Sequence, residues 1–338
     1  MGGRAEHRVG VVGAGRIGRL HAGNVARVAG LRLVAVADEN GAAAEELARS
    51  MGCEACADWH ELVGRTDVDA VLVCSPPGAH ADQVAVAAGE GKHVFCEKPL
   101  ADDLAAADRA LAAAARAGTV LQVGYNRRYD RNFRAVRDAI AAGRVGTPCL
   151  VRITSRDPEP PARDYLEISP GLFFDTTSHD LDLARFLLAG ELAEVSARGA
   201  ALFSDDVRAV GGVDTAVTTA SFESGALAVI DNCWTSAYGY DQRVEVHGTA
   251  GLVAARNEAT DTTVVADAAG FHEPVLPHFF ADRYGPAFLR ELEAFAAALD
   301  GAPVLVTGRD GRQALAAAIA AVTSHQEGRA VALAEVGA

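Results

Sequence analysis

Basic residues are in short supply: 31 Lys and Arg stand against 45 Asp and Glu in 338 residues, a formal charge of −14. Nucleic-acid binding depends on cations that neutralise phosphates, so this balance argues against nucleic acid and equally against an anionic membrane surface. Long apolar runs are missing too, and none reaches the ~20 residues of a membrane span. Six cysteines are too few for a disulfide framework. Cys74 (VLVCS) and Cys96 (HVFCE) lie in apolar stretches, where a reduced, buried thiol is the ordinary reading. Cys53 and Cys56 form a lone C-x-x-C without a second ligand pair, so no metal site is expected. The opening MGGRAEHRVGVVGAG passes from a short polar arm into a strand and lacks the apolar core of a leader. These absences point to a cytoplasmic protein with a reduced interior.

Half the residues are hydrophobic, enough for true cores. The length suggests two domains. Up to residue 123, short apolar strands alternate with alanine-rich helices, the grammar of a doubly wound parallel sheet. Strands are expected at Arg8–Val12, Leu31–Ala37, Ala70–Cys74, His93–Cys96 and Val120–Val123. From residue 124 to 338 the pattern changes to α+β. A long helix is read at Phe173–Leu188, then consecutive β segments from Ala193 to Ala266 that suggest a large open, mostly antiparallel meander. Helices at Ala287–Leu299 and Arg309–Gln326 close the chain.

Val9 to Gly18 reads VGVVGAGRIG. Gly13, Gly15 and Gly18 make G-x-G-x-x-G directly after a strand, with Arg16 and Ile17 opening the helix. The first glycine permits the turn, the second lets a pyrophosphate approach the backbone, and the third allows close helix–strand packing. The helix N-terminus offers N–H donors and a positive dipole end. Asp38 closes the second strand 20 residues after Gly18, where an acid meets the adenosine ribose. Asp38 and Glu39 together repel a 2′-phosphate, which favours NAD over NADP, although Arg32 and Arg49 act in the opposite sense.

Ligands of open α/β sheets sit beyond the carboxyl ends of strands. That places Ser75, Pro76 and His80 among the cofactor neighbours, together with Glu97 and Lys98 of Glu97-Lys98-Pro99. A lysine between a buried strand and a proline suits an ammonium that stabilises a developing alkoxide, and a solvated loop lysine is the competing reading. Asp175, His179 and Asp182 fall at spacings of four and three, on one helical face. There Asp175 can orient His179, whose ordinary pKa suits proton transfer near neutrality, and Asp182 can accept from a polyol hydroxyl. Asp180 is assigned to the solvent side or the helix ends.

These residues together give the chain a likeness to a known family. GAGRIGRLHA, AVAD, CSPP…H, FCEKPL and VGYNRRYDRNF resemble the Gfo/Idh/MocA oxidoreductases along nearly the whole chain. SRDPEPP…YL…SPGLFFDTTSHDLDLARFL, AYGYDQRVEVHGTAG and HFFADRYGPAFLRELEAF resemble more narrowly the inositol 2-dehydrogenases within it. The resemblance implies a Rossmann domain followed by an α/β domain whose sheet face makes dimers or tetramers. It implies Lys98, Asp175 and His179 as catalytic residues. It also implies Asp157, Asp182, Tyr238 and one of Arg127 and Arg128 as the lining of a polyol pocket. Asn232-Cys233-Trp234 stands where many such dehydrogenases carry Asn-Ser-Arg, so Trp234 enters as an aromatic wall of that pocket.

The expected activity is NAD-dependent oxidation of a cyclitol hydroxyl, with myo-inositol first. Other inositol isomers, an aminocyclitol precursor or a pyranose are alternatives. A non-catalytic NAD-binding regulator is the reading from a different class.

Overall fold

A computed structural model describes residues 6–167 and 169–338. Residues 1–5, most of the polar arm, and Ile168 lie outside the described residues. Two compact units divide the chain: Met1–Tyr129 with Pro286–Leu315, and Asp130–Gly285 with Ala316–Ala338. The sequence reading set one boundary, between residues 123 and 124. The structure instead returns a late segment to the first unit, because Leu292, Phe295 and Ala296 pack in the core of the N-terminal sheet.

The first unit is built on six parallel strands, β1 (His7–Val12), β2 (Leu31–Ala37), β3 (Glu54–Cys56), β4 (Ala70–Val73), β5 (His93–Glu97) and β6 (Leu121–Gly124), in the order β3-β2-β1-β4-β5-β6. The order reverses between β1 and its neighbours β2 and β4, the switch point where such sheets bind ligands. β4 is buried along its whole length and β1 over its last four residues, as befits strands covered on both faces. The edge strand β3 carries the second cysteine of the C-x-x-C and escaped the sequence reading, being only three residues long. All six cysteines are free.

The second unit holds β7 (Pro148–Arg156), β8 (Leu192–Ala200), β9 (Thr215–Phe222), β10 (Leu227–Cys233), β11 (Asp241–Gly248) and β12 (Gly251–Ala255). A separate hairpin joins β13 (Val265–Asp267) to β14 (Gly270–His272), and β15 (Val331–Ala332) completes the large sheet. Its order is β12-β11-β7-β10-β9-β8-β15. The plain meander needs correction, because β10 pairs with β7 in parallel at the centre while the remaining pairs are antiparallel. The last of the expected β segments, Thr262–Ala266, is strand only from Val265, and that strand belongs to the hairpin and not to the large sheet.

Alternation along the strands buries Val151, Ile153, Ala228, Ile230, Val244 and Val246 on one face. The helix Ser178–Leu188 packs on β7. The opposite face exposes Val217, Leu227 and Leu252. The late helices run Phe280–Leu299 and Gly308–Glu327. The first begins earlier than the expected Ala287 and carries Pro286 inside it. Among the described residues no helix is long and apolar enough to cross a membrane.

Candidate functional site

The glycine turn forms as its spacing demands. Gly13 has φ +102°, and a Cβ there would stand 2.5 Å from the Cys74 carbonyl oxygen. A Cβ on Gly18 would stand 1.8 Å from the Gly13 carbonyl oxygen, so only glycine lets the helix Arg16–Val25 start so close to β1. Gly15 is the opposite case: it is exposed, and a Cβ would meet nothing within 4 Å. That open approach to backbone N–H groups is what a pyrophosphate needs. The helix's first turn carries no acidic side chain to oppose an anion. Arg16 is exposed and Ile17 half-buried beside it.

Asp38 lies just past β2. Its Oδ2 accepts the Ala14 N–H at 2.6 Å and its Oδ1 accepts the Asn40 N–H at 2.7 Å. The carboxylate is therefore fixed against the glycine turn, with lone pairs left for ribose hydroxyls. Glu39 is exposed next to it. Arg32, weighed as an offset, stands at the far end of β2, six residues from Asp38, and its Nε donates to Glu6 at 2.8 Å. The residues thus fit an NAD-type dinucleotide.

The other strand ends are more tightly engaged. Ser75 Oγ donates to Gln83 Oε1 at 2.6 Å, and Pro76 is exposed. His80 is 1% exposed. Its ring nitrogens lie 2.7 Å from the Pro99 carbonyl oxygen and 2.8 Å from that of Ser75. The imidazole thereby ties the β4 and β5 loops together. Glu97 is buried against His21 at 2.7 Å, whereas Lys98 is half-buried. Arg128 is buried and paired with Asp310 at 3.0 Å, and Arg127 is also buried.

In the second unit, the expected single helix at Phe173–Leu188 divides. Phe173–Thr177 is a π-helical turn, and the α-helix begins at Ser178. Such turns often mark functional sites. Asp175 is half-buried in the π turn and accepts from Ser169 Oγ at 2.5 Å and from Tyr165 Oη at 3.2 Å. Both partners stand in the YL…SPG stretch quoted above, but nothing in that pattern assigned them to Asp175. His179 is half-buried on the first turn of the α-helix.

Asp180, expected at the solvent side, is fully buried. It accepts from Ser155 Oγ of β7 and from Asn232 Nδ2 of β10, each at 2.7 Å, while Thr177 Oγ1 donates to Asn232 Oδ1 at 2.6 Å. This polar clamp seats the His179 helix on the sheet. The missed signal was a polar residue in alternation with the apolar ones on each strand's buried face, Ser155 after Val151 and Ile153, Asn232 after Ala228 and Ile230.

Trp234 is 2% exposed and its indole N–H donates to Thr176 Oγ1 at 3.0 Å, so it braces the π turn from inside and is not an open aromatic wall. Asp182 is 1% exposed and lies 3.7 Å from Arg185, which also binds Glu191. Tyr238 is exposed, but its hydroxyl donates to Asp241 at 2.7 Å and accepts from Arg156 at 3.0 Å. Asp157 is half-buried, and its N–H donates to the Cys233 carbonyl at 2.9 Å.

Comparison with known proteins agrees with this arrangement. Residues 7–125 match the model of an oxidoreductase family with an NAD-binding Rossmann fold, and residues 133–254 match the GFO/IDH/MocA C-terminal domain. The chain is 43% identical over 331 residues to a myo-inositol 2-dehydrogenase of Thermotoga maritima, covering 97% of this chain and 99% of that one. It is also 43% identical over 328 residues to an inositol 2-dehydrogenase of Rhizobium meliloti, at the same coverage. The crystal structure of a scyllo-inositol dehydrogenase from Lactobacillus casei with bound NAD(H) and scyllo-inositol superposes with a TM-score of 0.92. Its sequence identity is 29%, over 97% of this chain and 99% of that one. With a glycine turn shaped for a dinucleotide and both domain models matched, the chain belongs to the Gfo/Idh/MocA family of oxidoreductases and is an NAD-dependent enzyme.

Proposed function

We propose that the enzyme oxidises a secondary hydroxyl of a cyclitol to the ketone, with myo-inositol as the first candidate. The observation that carries this reading is the near-full-length 43% identity to two inositol 2-dehydrogenases. When bound, NAD accepts the hydride at C4 of its nicotinamide. Gly13, Gly15, Arg16, Ile17 and Gly18 receive its pyrophosphate at the helix N-terminus, and Asp38 receives the ribose hydroxyls. Ser75 and Pro76 border it at the end of β4. His179 takes the hydroxyl proton, Asp175 orients it, and the Lys98 ammonium stabilises the alkoxide that forms. Arg127, Asp157 and Tyr238 hold further hydroxyls, while Asp182, Arg128 and Trp234, each bonded within its own unit, hold their neighbours in place.

Scyllo-inositol is the second reading, supported by the 29%-identical Lactobacillus casei enzyme. A self-association through the open face of the large sheet accompanies the proposal, supported by its exposed Val217, Leu227 and Leu252. A Leu227→Lys chain that keeps the wild-type mass in light scattering would refute that contact.

The functional test follows NADH formation with NAD or NADP against myo-, scyllo- and D-chiro-inositol and glucose. Turnover of myo-inositol with NAD well above the rest supports the proposal. Preference for scyllo-inositol selects the second reading. NAD binding without turnover on any polyol overturns both.

A further inference from the structure

Buried carboxylates ordinarily have donors. Glu291 in the first unit is fully buried, and neither of its carboxyl oxygens has a hydrogen-bond partner among the described residues. Its backbone is held by Gln122, whose amide donates to the Glu291 carbonyl at 2.8 Å. Glu291 Oε1 lies 3.9 Å from Nε2 of the fully buried His21. The same nitrogen lies 2.7 Å from Glu97 Oε1. Glu97 Oε2 in turn accepts the Lys98 backbone N–H at 3.2 Å. Phe95 and Phe288 stand edge-on to the imidazole at 5.0 and 5.8 Å, so the ring sits in an apolar box. Gly124 ends β6 against the same carboxylate: a Cβ there would approach the Glu97 carboxyl carbon to 3.0 Å. The missing side chain makes room for that group.

The donors decide the charges. At 3.9 Å, Glu291 is beyond hydrogen-bond reach of His21. The Nε2 proton therefore belongs to the contact with Glu97, and Nδ1 has no partner among the described residues. Glu97 has two N–H donors and is built to be the anion. Glu291 has none, and an unpaired buried charge costs several kcal/mol. Burial first, then the Glu97 charge, pushes the Glu291 carboxyl well above the usual range. The thiols of Cys74 and Cys96 face the same cluster, both pushed up mainly by burial, and add no charge to it.

We propose that Glu97 and His21 are positioning residues for Lys98: His21 clamps the Glu97 carboxylate, which fixes the Lys98 backbone, while Glu291 stays neutral and takes no part in holding it. The proposal rests on the reading of Lys98 as the group that meets the alkoxide.

The test compares Glu97→Gln, His21→Gln and Glu291→Gln by steady-state kinetics on the polyol the wild type oxidises, with NAD titrations alongside. Glu97→Gln and His21→Gln are expected to lose about tenfold to a hundredfold in kcat, the scale of a misplaced catalytic group, with NAD affinity nearly unchanged. Glu291→Gln is expected to keep kcat within about twofold, because the amide mimics a neutral acid. If Glu97→Gln does not fold, Gly124→Ala displaces the carboxylate without removing it, and the same loss is expected.

Wild-type kcat in Glu97→Gln, or an equal loss in Glu291→Gln, overturns the proposal. So does a chelator-removable divalent ion bound one per chain, because one ligand atom from each of His21, Glu97 and Glu291 lies within 4.8 Å of the others. Infrared spectroscopy separates this proposal from the functional one. A protonated-carboxyl band present in wild type and Glu97→Gln but absent in Glu291→Gln supports the charge assignment even if no polyol turns over. Absence of that band from the wild type refutes the assignment.

Discussion

The clamp around Asp180 offers a prediction whose size can be worked from its contacts. Asp180→Ala removes the acceptor of two 2.7 Å hydrogen bonds from a fully buried position. Ser155 is not stranded, because Gln242 Oε1 lies 3.2 Å from its Oγ and can take its proton. Asn232 Nδ2 is left as a buried donor, at about 1–3 kcal/mol. The cavity left by the carboxylate adds about 1 kcal/mol. The expected destabilisation is about 2–4 kcal/mol. For a body of 150–250 residues each kcal/mol lowers the melting point by about 2–4 °C. Scanning calorimetry should therefore show the transition of the second unit falling by roughly 5–15 °C. Asp180→Asn should fall much less, since its amide oxygen can face Asn232 and its NH2 can face Ser155, which rotates to accept. Turnover should drop in the alanine variant, because the helix carrying His179 loses its seat. An alanine variant melting within a degree or two of wild type, or an asparagine variant worse than alanine, refutes the clamp.

Other substitutions test separate links. Gly18→Ala places a Cβ 1.8 Å from the Gly13 carbonyl oxygen, so NAD binding measured by titration should be lost even if the chain folds. Asp38→Ser should raise the KM for NAD by about tenfold, the worth of one hydrogen bond to a charged group, and bring NADP closer to it; an unchanged cofactor ratio counts against Asp38 as the ribose acceptor. His179→Ala should lose about a hundredfold to ten-thousandfold in kcat, and near-wild-type turnover removes it as the base. Hydrogen bonding to Arg8 holds the Asp69 carboxyl at about 2, below the ordinary 3.8. Its stabilisation is therefore present above about pH 4 and lost as pH falls towards 2, and for so exposed a pair screening keeps it below about 1 kcal/mol. Asp69→Asn should remove that part of the acid limb in melting curves taken at low salt.

Much of the first unit was legible because its signals are local. Gly13 and Gly18 admit no other side chain for reasons of backbone contact, and Asp38 follows from strand length. Periodicity alone misjudged the helix after Leu172. It assumes a constant pitch, whereas Phe173–Thr177 is wound as a π turn, and it cannot say which of two polar faces meets a sheet. Asp180 looked like a solvent residue because its partners Ser155 and Asn232 lie 25 and 52 positions away. Trp234 looked like a pocket wall because sequence shows an indole but not the hydroxyl of Thr176 that receives its N–H. The return of Pro286–Leu315 to the first unit is likewise a long-range packing choice.

That distinction bears on where substrate selectivity resides. Side chains already buried and bonded select a substrate only by placing something else. Asp182 beside Arg185, Arg128 on Asp310 and Trp234 on Thr176 are of this kind. Their replacement should cost turnover on every isomer alike. Asp157 is half-buried just before Pro158, and Lys98 and His179 are half-buried as well. Of these, Asp157 is free of the proposed proton chemistry, so discrimination between inositol isomers should respond to it first. Asp157→Asn should change the ratio of kcat/KM for myo- and scyllo-inositol, whereas Trp234→Phe should lower both and leave their ratio in place. The reverse pattern would return the indole to the substrate and remove its bracing role.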